Sequence, residues 1–111
     1  MRIRVRILKR RFNMRVNITS VHFKADKKLE DFIEKKIGKL SNTFDGVLGT
    51  DVTLKLENSE NKENKIAEIK VAIKGHDLFA KKQSKTFEEA TDTAVEALRR
   101  QLKRHKEMIK K

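Results

Sequence analysis

Residues 86–111 read TFEEATDTAVEALRRQLKRHKEMIKK, and the way this stretch is built constrains everything before it. Thr86 followed three positions later by Glu89 is a capping box: the threonine hydroxyl accepts from the Glu89 amide while the carboxylate reaches back to the Thr86 amide. Neither proline nor glycine occurs between Phe87 and Lys111, so the stretch predicts one helix of about six turns. Its charges are sorted. Glu88, Glu89, Asp92 and Glu96 occupy the first half, and Arg99, Arg100, Lys103, Arg104, Lys106, Lys110 and Lys111 crowd the second, opposed only by Glu107. At about 100° per residue, Phe87, Ala94, Leu98, Leu102, His105 and Ile109 share one side. The cations fill the remaining arc. The helix dipole rewards cations only within the last turn, and seven of them in 13 residues exceed that reward. The stretch therefore needs a core on one side and offers a polyanion the other.

The whole chain has the same bias. It has 111 residues, 28 Lys and Arg against 16 acids, a formal net charge of +12 and a pI near 10.1. That length predicts one domain, and that charge points to nucleic acid or another anionic surface as partner. Residues 1–13 hold six of the cations and no acid; setting them aside leaves a surplus of six, which residues 99–111 alone can account for. There is no cysteine, consistent with a reducing cytoplasm and excluding thiolate metal sites and nucleophiles. No apolar run reaches membrane-spanning length, so no membrane partner is expected.

Alternation organises the rest. In residues 1–13, Ile3, Val5 and Ile7 alternate with Arg2, Arg4 and Arg6, a pattern that allows a short basic strand; we favour a mobile basic N-terminal extension, or an upstream start, added to a domain that begins near Met14. Residues 15–23 alternate as a strand with one buried face. Asp26 is placed to cap a helix to about Leu40, whose stripe is Leu29, Phe32, Ile33, Ile37, Leu40 and Phe44. Lys28, Lys35 and Lys39 share one flank of it, a second cationic strip. Gly46 and Gly49 precede a strand with Leu48, Thr50, Val52, Leu54 and Leu56 on one side. Residues 58–64 form a polar hairpin loop, and residues 65–74 return with Ala67, Ile69, Val71 and Ile73 inward. Gly75-His76-Asp77 is a turn. A last strand carries Lys81, Lys82 and Lys85, as suits an edge. The resulting order, β-α-β-β-β-α, predicts an α+β two-layer sandwich: a four-stranded mixed sheet with both helices on one face and the other face open to water.

Chemistry-bearing motifs are sparse. His22, His76 and His105 are far apart in metal-ligand terms, and no serine sits in a nucleophile elbow, so no catalytic residue, metal or cofactor is assigned. Gly46-Val47-Leu48-Gly49 fits a GXXG pattern but leads into a strand and lacks a central cation. With no Tyr or Trp anywhere, base stacking on the sheet face is disfavoured. What remains is recognition of phosphates and backbone shape by Lys and Arg on helices. On these residues alone, a general structured-RNA binder and a protein-interaction domain using the open sheet face both stay open.

Three segments carry a family resemblance. Val16-Asn17-Ile18-Thr19 resembles the opening strand of the ribosome hibernation promoting factors (the sigma-54 modulation family). Leu29-x-x-Phe32 through Lys39-Leu40-x-x-x-Phe44-Asp45 is similar to their first helix. Asp92-x-Ala94-Val95-x-x-Leu98-x-Arg100-Gln101-Leu102-x-Arg104-His105-Lys106 resembles their Asp-x-x-x-x-x-Leu-x-Arg-Gln-Leu-x-Lys-His-Lys signature, with Arg104 at a lysine position. The likeness covers residues 14–111.

The resemblance implies a double-stranded-RNA-binding-like fold and a non-enzymatic, cofactor-free factor. Such a factor is cytoplasmic and ribosome-associated, and monomeric off the ribosome. It would bind the small ribosomal subunit and its rRNA in the mRNA/tRNA channel, inhibit translation and preserve idle ribosomes in stress and stationary phase. Arg100, Arg104, Lys106 and Lys39 match family cations; Arg99, Lys103, Lys110, Lys28 and Lys35 join them as RNA-binding residues from the helical wheels. Long members carry a further domain that dimerises ribosomes. This chain is expected to be of the short type, with a second dimerisation factor as a further partner where dimers form.

Overall fold

The computed structural model describes residues 2–9, 14–43, 46–57 and 62–109. Its elements are β1 (Arg2–Lys9), β2 (Met14–Val21), α1 (Lys27–Thr43), β3 (Val47–Leu56), β4 (Lys65–Ile73), β5 (His76–Ser84) and α2 (Phe87–Ile109). The strands form a single sheet in the order β1-β2-β3-β4-β5. β2 and β3 run parallel, joined by the α1 crossover, and every other neighbouring pair is antiparallel. From β2 onward this is the expected β-α-β-β-β-α order.

The expected four-stranded mixed sheet is β2–β5, and β1 adds a fifth strand at its edge, as the alternation in residues 1–13 allows. Residues 2–9 pair along the whole of β2, Val5 opposite Ile18 and Ile7 opposite Val16. Their strict alternation with β-branched residues favours a strand, and the outer edge of β2 would otherwise present a row of unpaired N–H and C=O groups.

Local chemistry sets the helix starts. Asp26 Oδ1 accepts from the Leu29 amide at 2.8 Å, and Thr86 Oγ1 accepts from the Glu89 amide at 3.1 Å. Each cap satisfies one of the amides left without a partner in a first turn. The core lies between the helices and one sheet face. Ile18, Val52, Ile69 and Ala80 stand side by side in register across the sheet, all buried. Leu29, Ile33, Ile37 and Leu40 from α1 and Ala90, Ala94, Leu98 and Leu102 from α2 close over them. Removing that apolar surface from water is what holds the helices down, at roughly 25 cal/mol per Å².

Two strand positions depart from simple alternation. Leu48, expected inward, is 63% exposed, because the β3–β4 register shifts between Val47 and Gly49. Such a bulge adds one residue, so Val47 takes the place against the core. Ile66 shares parity with the outward Glu68 and Lys70, yet it is buried. The hairpin turns back there, with Gln83 Nε2 donating to the Glu63 carbonyl and the Glu57 amide to that of Asn64. Phe32 of the expected α1 stripe is only half-buried, and the side chain of Phe44 lies outside the described residues.

Candidate nucleic-acid interface

The capped start and the buried stripe of α2 fix which of its residues face water. Ala94, Leu98 and Leu102 are buried, while Arg99, Arg100, Lys103, Arg104 and Lys106 are exposed. On α1, Lys28, Lys35 and Lys39 are exposed as well. The side chain of Lys110 lies outside the described residues. Arg99 leans 3.4 Å from Glu96 one turn back. Arg100, Lys103, Arg104 and Lys106 form no ion pair among the described residues, so their charge is available to an external anion.

The two helices meet along a groove of about 300 Å³ lined by Lys36, Lys39, Leu40, Asp92, Val95, Glu96 and Arg99. This groove joins the cationic strips, because it places Lys39 of α1 beside Arg99 of α2. Lys28 and Lys35 do not line it. Lys36 belongs to neither strip on the helical wheels, and sequence reasoning misses it. Its Nζ lies 2.8 Å from Asp92 Oδ1 and 5.5 Å from the centre of the Phe32 ring. Its half-buried stem covers apolar surface while the ammonium reaches α2.

The opposite face of the sheet is electrostatically different. Glu68 Oε2 lies 3.0 Å from Lys55 Nζ and 3.8 Å from Lys81 Nζ; Lys70 meets Asp77 at 3.4 Å, and Asn17 donates to Asp51 at 2.8 Å. Lys55, Lys70 and Lys81 of β3, β4 and β5 are thus matched by carboxylates on the next strand, at positions that the register sets opposite one another or one step away. Exposed pairs of this kind contribute little stability, but they reduce the surplus of positive potential on that face.

Among the described residues no helix is long and apolar enough to cross a membrane. The histidines have no shared role in the sequence, yet His76 and His105 stand with ring centroids 4.9 Å apart. The spacing of 29 positions between them offers no signal of it.

Known proteins resemble this chain in sequence and fold. The family described as sigma 54 modulation protein / S30EA ribosomal protein matches residues 16–110. The ribosome hibernation promoting factor of Pseudomonas putida is 30% identical over 94 residues, covering 85% of this chain and 88% of the relative. The solved N-terminal domain of Thermus thermophilus Protein Y superposes with a TM-score of 0.68 at 28% identity, over 81% of this chain and 93% of that one. A ribosomal subunit interface protein from Coxiella burnetii shares the fold, with a TM-score of 0.73 at 21% identity over 82% of this chain and 96% of that one. β1 lies outside the matched segment, and α1, α2 and the cations they present lie within it. The chain belongs to the sigma 54 modulation protein / S30EA ribosomal protein family.

Proposed function

We propose that this protein is a ribosome hibernation factor. In this reading it docks by its helical face on the rRNA of the small ribosomal subunit, in the channel used by mRNA and tRNA. Occupancy there blocks translation and preserves idle ribosomes under stress or in stationary phase. The observation that supports the reading is the row of exposed cations on α2, of which Arg100, Lys103, Arg104 and Lys106 form no ion pair among the described residues, beside the exposed Lys28, Lys35 and Lys39 of α1, in a family whose Pseudomonas putida member bears the name ribosome hibernation promoting factor. Phosphate contacts of this sort supply affinity without reading bases. Selectivity then comes from the shape of a rigid RNA that fits both helices together. Nothing in this role requires a catalytic group, and it situates the protein on cytoplasmic ribosomes, with a second factor engaged where ribosomes dimerise.

The test is co-sedimentation with purified small subunits in a sucrose gradient. Wild-type protein should travel with them, and the double variant Arg100→Glu, Arg104→Glu should stay folded by circular dichroism and remain at the top. Retention of that variant on the subunit would overturn the assignment of the helical face. A protein-contact reading for the sheet face has one observation in its favour, the 53% exposure of Phe79. It predicts that the charge reversals leave partner binding intact.

A further inference from the structure

The turn between β4 and β5 sets a histidine of the sheet against a histidine of the last helix. Gly75, with φ of 97°, lets the chain reverse between Ile73 and His76, which pair across it. His76 opens β5 and meets His105 edge to face, with an interplanar angle of 69°. With Leu78, Gln101 and Arg104 the two rings line an open recess of about 280 Å³. Gln101 is held in place, since its Nε2 donates to the Phe79 carbonyl at 3.1 Å. Arg104 is exposed at the mouth. The other charged groups adjoining the pair are Lys74 and Asp77 beside His76, and Lys106 and Glu107 beside His105, all exposed. Asp77 lies 3.4 Å from Lys70.

We propose that this recess is a phosphodiester-binding subsite that makes RNA affinity rise as pH falls. The proposal rests on the RNA-binding reading above and adds a site on the strand side of α2. A neutral imidazole offers one N–H donor; a protonated one offers two, with charge. Two charged rings and a guanidinium round one recess repel one another, and an oxyanion seated among them removes that repulsion. A ligand that prefers the protonated rings must bind more tightly when they are protonated. Histidine is the side-chain class that changes charge between about pH 5 and 8, and that is the interval over which the proposal is tested. The location strengthens the case. The recess continues the cationic series Arg100, Lys103, Arg104 towards the C-terminal end of α2, where the helix dipole also favours positive charge.

Sulfate is a suitable probe, being a dianion at both ends of the range. It is titrated at constant ionic strength while the histidine ring resonances are followed by NMR at about pH 6 and about pH 8. His76 and His105 should shift saturably, with binding about tenfold tighter at the lower pH, and exposed His22 in the β2–α1 link should stay still. In parallel, small-subunit binding by wild type should strengthen several-fold between the two pH values. His76→Gln should flatten that dependence without altering thermal unfolding, and His76→Arg should hold the tight form at the higher pH. Equal movement of all three histidines, or a pH dependence that survives His76→Gln, would overturn the subsite. Intact subunit binding with no sulfate response removes the subsite and leaves the ribosome reading standing. Loss of subunit binding with a sulfate response retained does the reverse.

Discussion

Lys36 of α1 and Asp92 of α2 lie 2.8 Å apart, Nζ to Oδ1, at the wall of the groove between the helices. Asp92 is also the residue that opens the signature-like segment of α2, so its place there has a structural cause: it ties the two cationic helices together. Asp92 is more than half exposed and Lys36 about a quarter, which limits what the pair contributes. A double-mutant cycle with Lys36→Met and Asp92→Asn should give a coupling of about 0.5 kcal/mol in urea unfolding. Its larger effect should be on function. With the tie released, subunit affinity should fall several-fold at nearly unchanged stability. A coupling indistinguishable from zero, with affinity unchanged, would show that α1 and α2 are positioned by core packing alone.

Salt should separate the two faces. Each helical cation that neutralises a phosphate releases counterions, so the slope of log affinity against log salt should lose about one unit per cation removed. Arg100→Gln with Lys103→Gln should reduce it by about two. Lys81→Gln on the sheet face, where Glu68 already faces both Lys55 and Lys81, should leave it unaltered. Filter binding to small subunits over a salt series reads this directly. Equal effects from the two faces would contradict a helical interface.

Much of this is legible in the chain itself, for physical reasons that differ by element. The α2 cap and stripe are readable because helix periodicity and capping are local. Thr86 needs only Glu89, and Leu98 only its neighbours a turn away. Exposure of the cations comes from the same wheel. Leu48 misleads because a bulge is a property of pairing between β3 and β4, and alternation in one strand cannot report it. β1 is half legible for a related reason: the alternation of Arg2 to Ile7 allows a strand, but only the free edge of β2 gives it something to pair with. Lys36 and His76 escape notice because their partners, Asp92 and His105, are distant in sequence and become neighbours only once both helices lie on one sheet face.

Two buried hydroxyls mark where stability can be gained. Thr50 Oγ1 and Thr91 Oγ1 are buried without a hydrogen-bond partner. Thr91 is on α2 beside the apolar stripe, and Thr50 stands in register between Val16 and Val71. A buried polar group left unpaired costs about 1–3 kcal/mol, and an apolar group of the same shape avoids that cost. Thr91→Val and Thr50→Val should each raise stability by about 1 kcal/mol, or about 4 °C in melting temperature, and they should add. Calorimetry of the singles and the double is decisive. A lower melting temperature for either would mean that its hydroxyl has a partner in solution.

The link from β2 to α1 holds one strained residue and one aromatic anchor. His22 has a φ of 71°, and beside it the Phe23 ring stacks on Phe87 of α2 with centroids 4.4 Å apart and planes 10° from parallel. The left-handed backbone of His22 swings the chain so that Phe23 lies over the start of α2, joining that start to the link before α1. Such a conformation costs a side-chain residue about 1 kcal/mol, and a β-branched one more. His22→Gly relieves it but frees the unfolded chain, so the net change should be within about 0.5 kcal/mol. His22→Val should destabilise by about 1–2 kcal/mol. Phe23→Ala removes the stack as well as buried area and should cost about 2 kcal/mol, while leaving the salt slope of RNA binding intact because no cation moves. Should His22→Val prove neutral in chemical unfolding, the link must adopt another backbone in solution, and the Phe23–Phe87 stack would then be absent from the ring-current shifts of the wild-type spectrum.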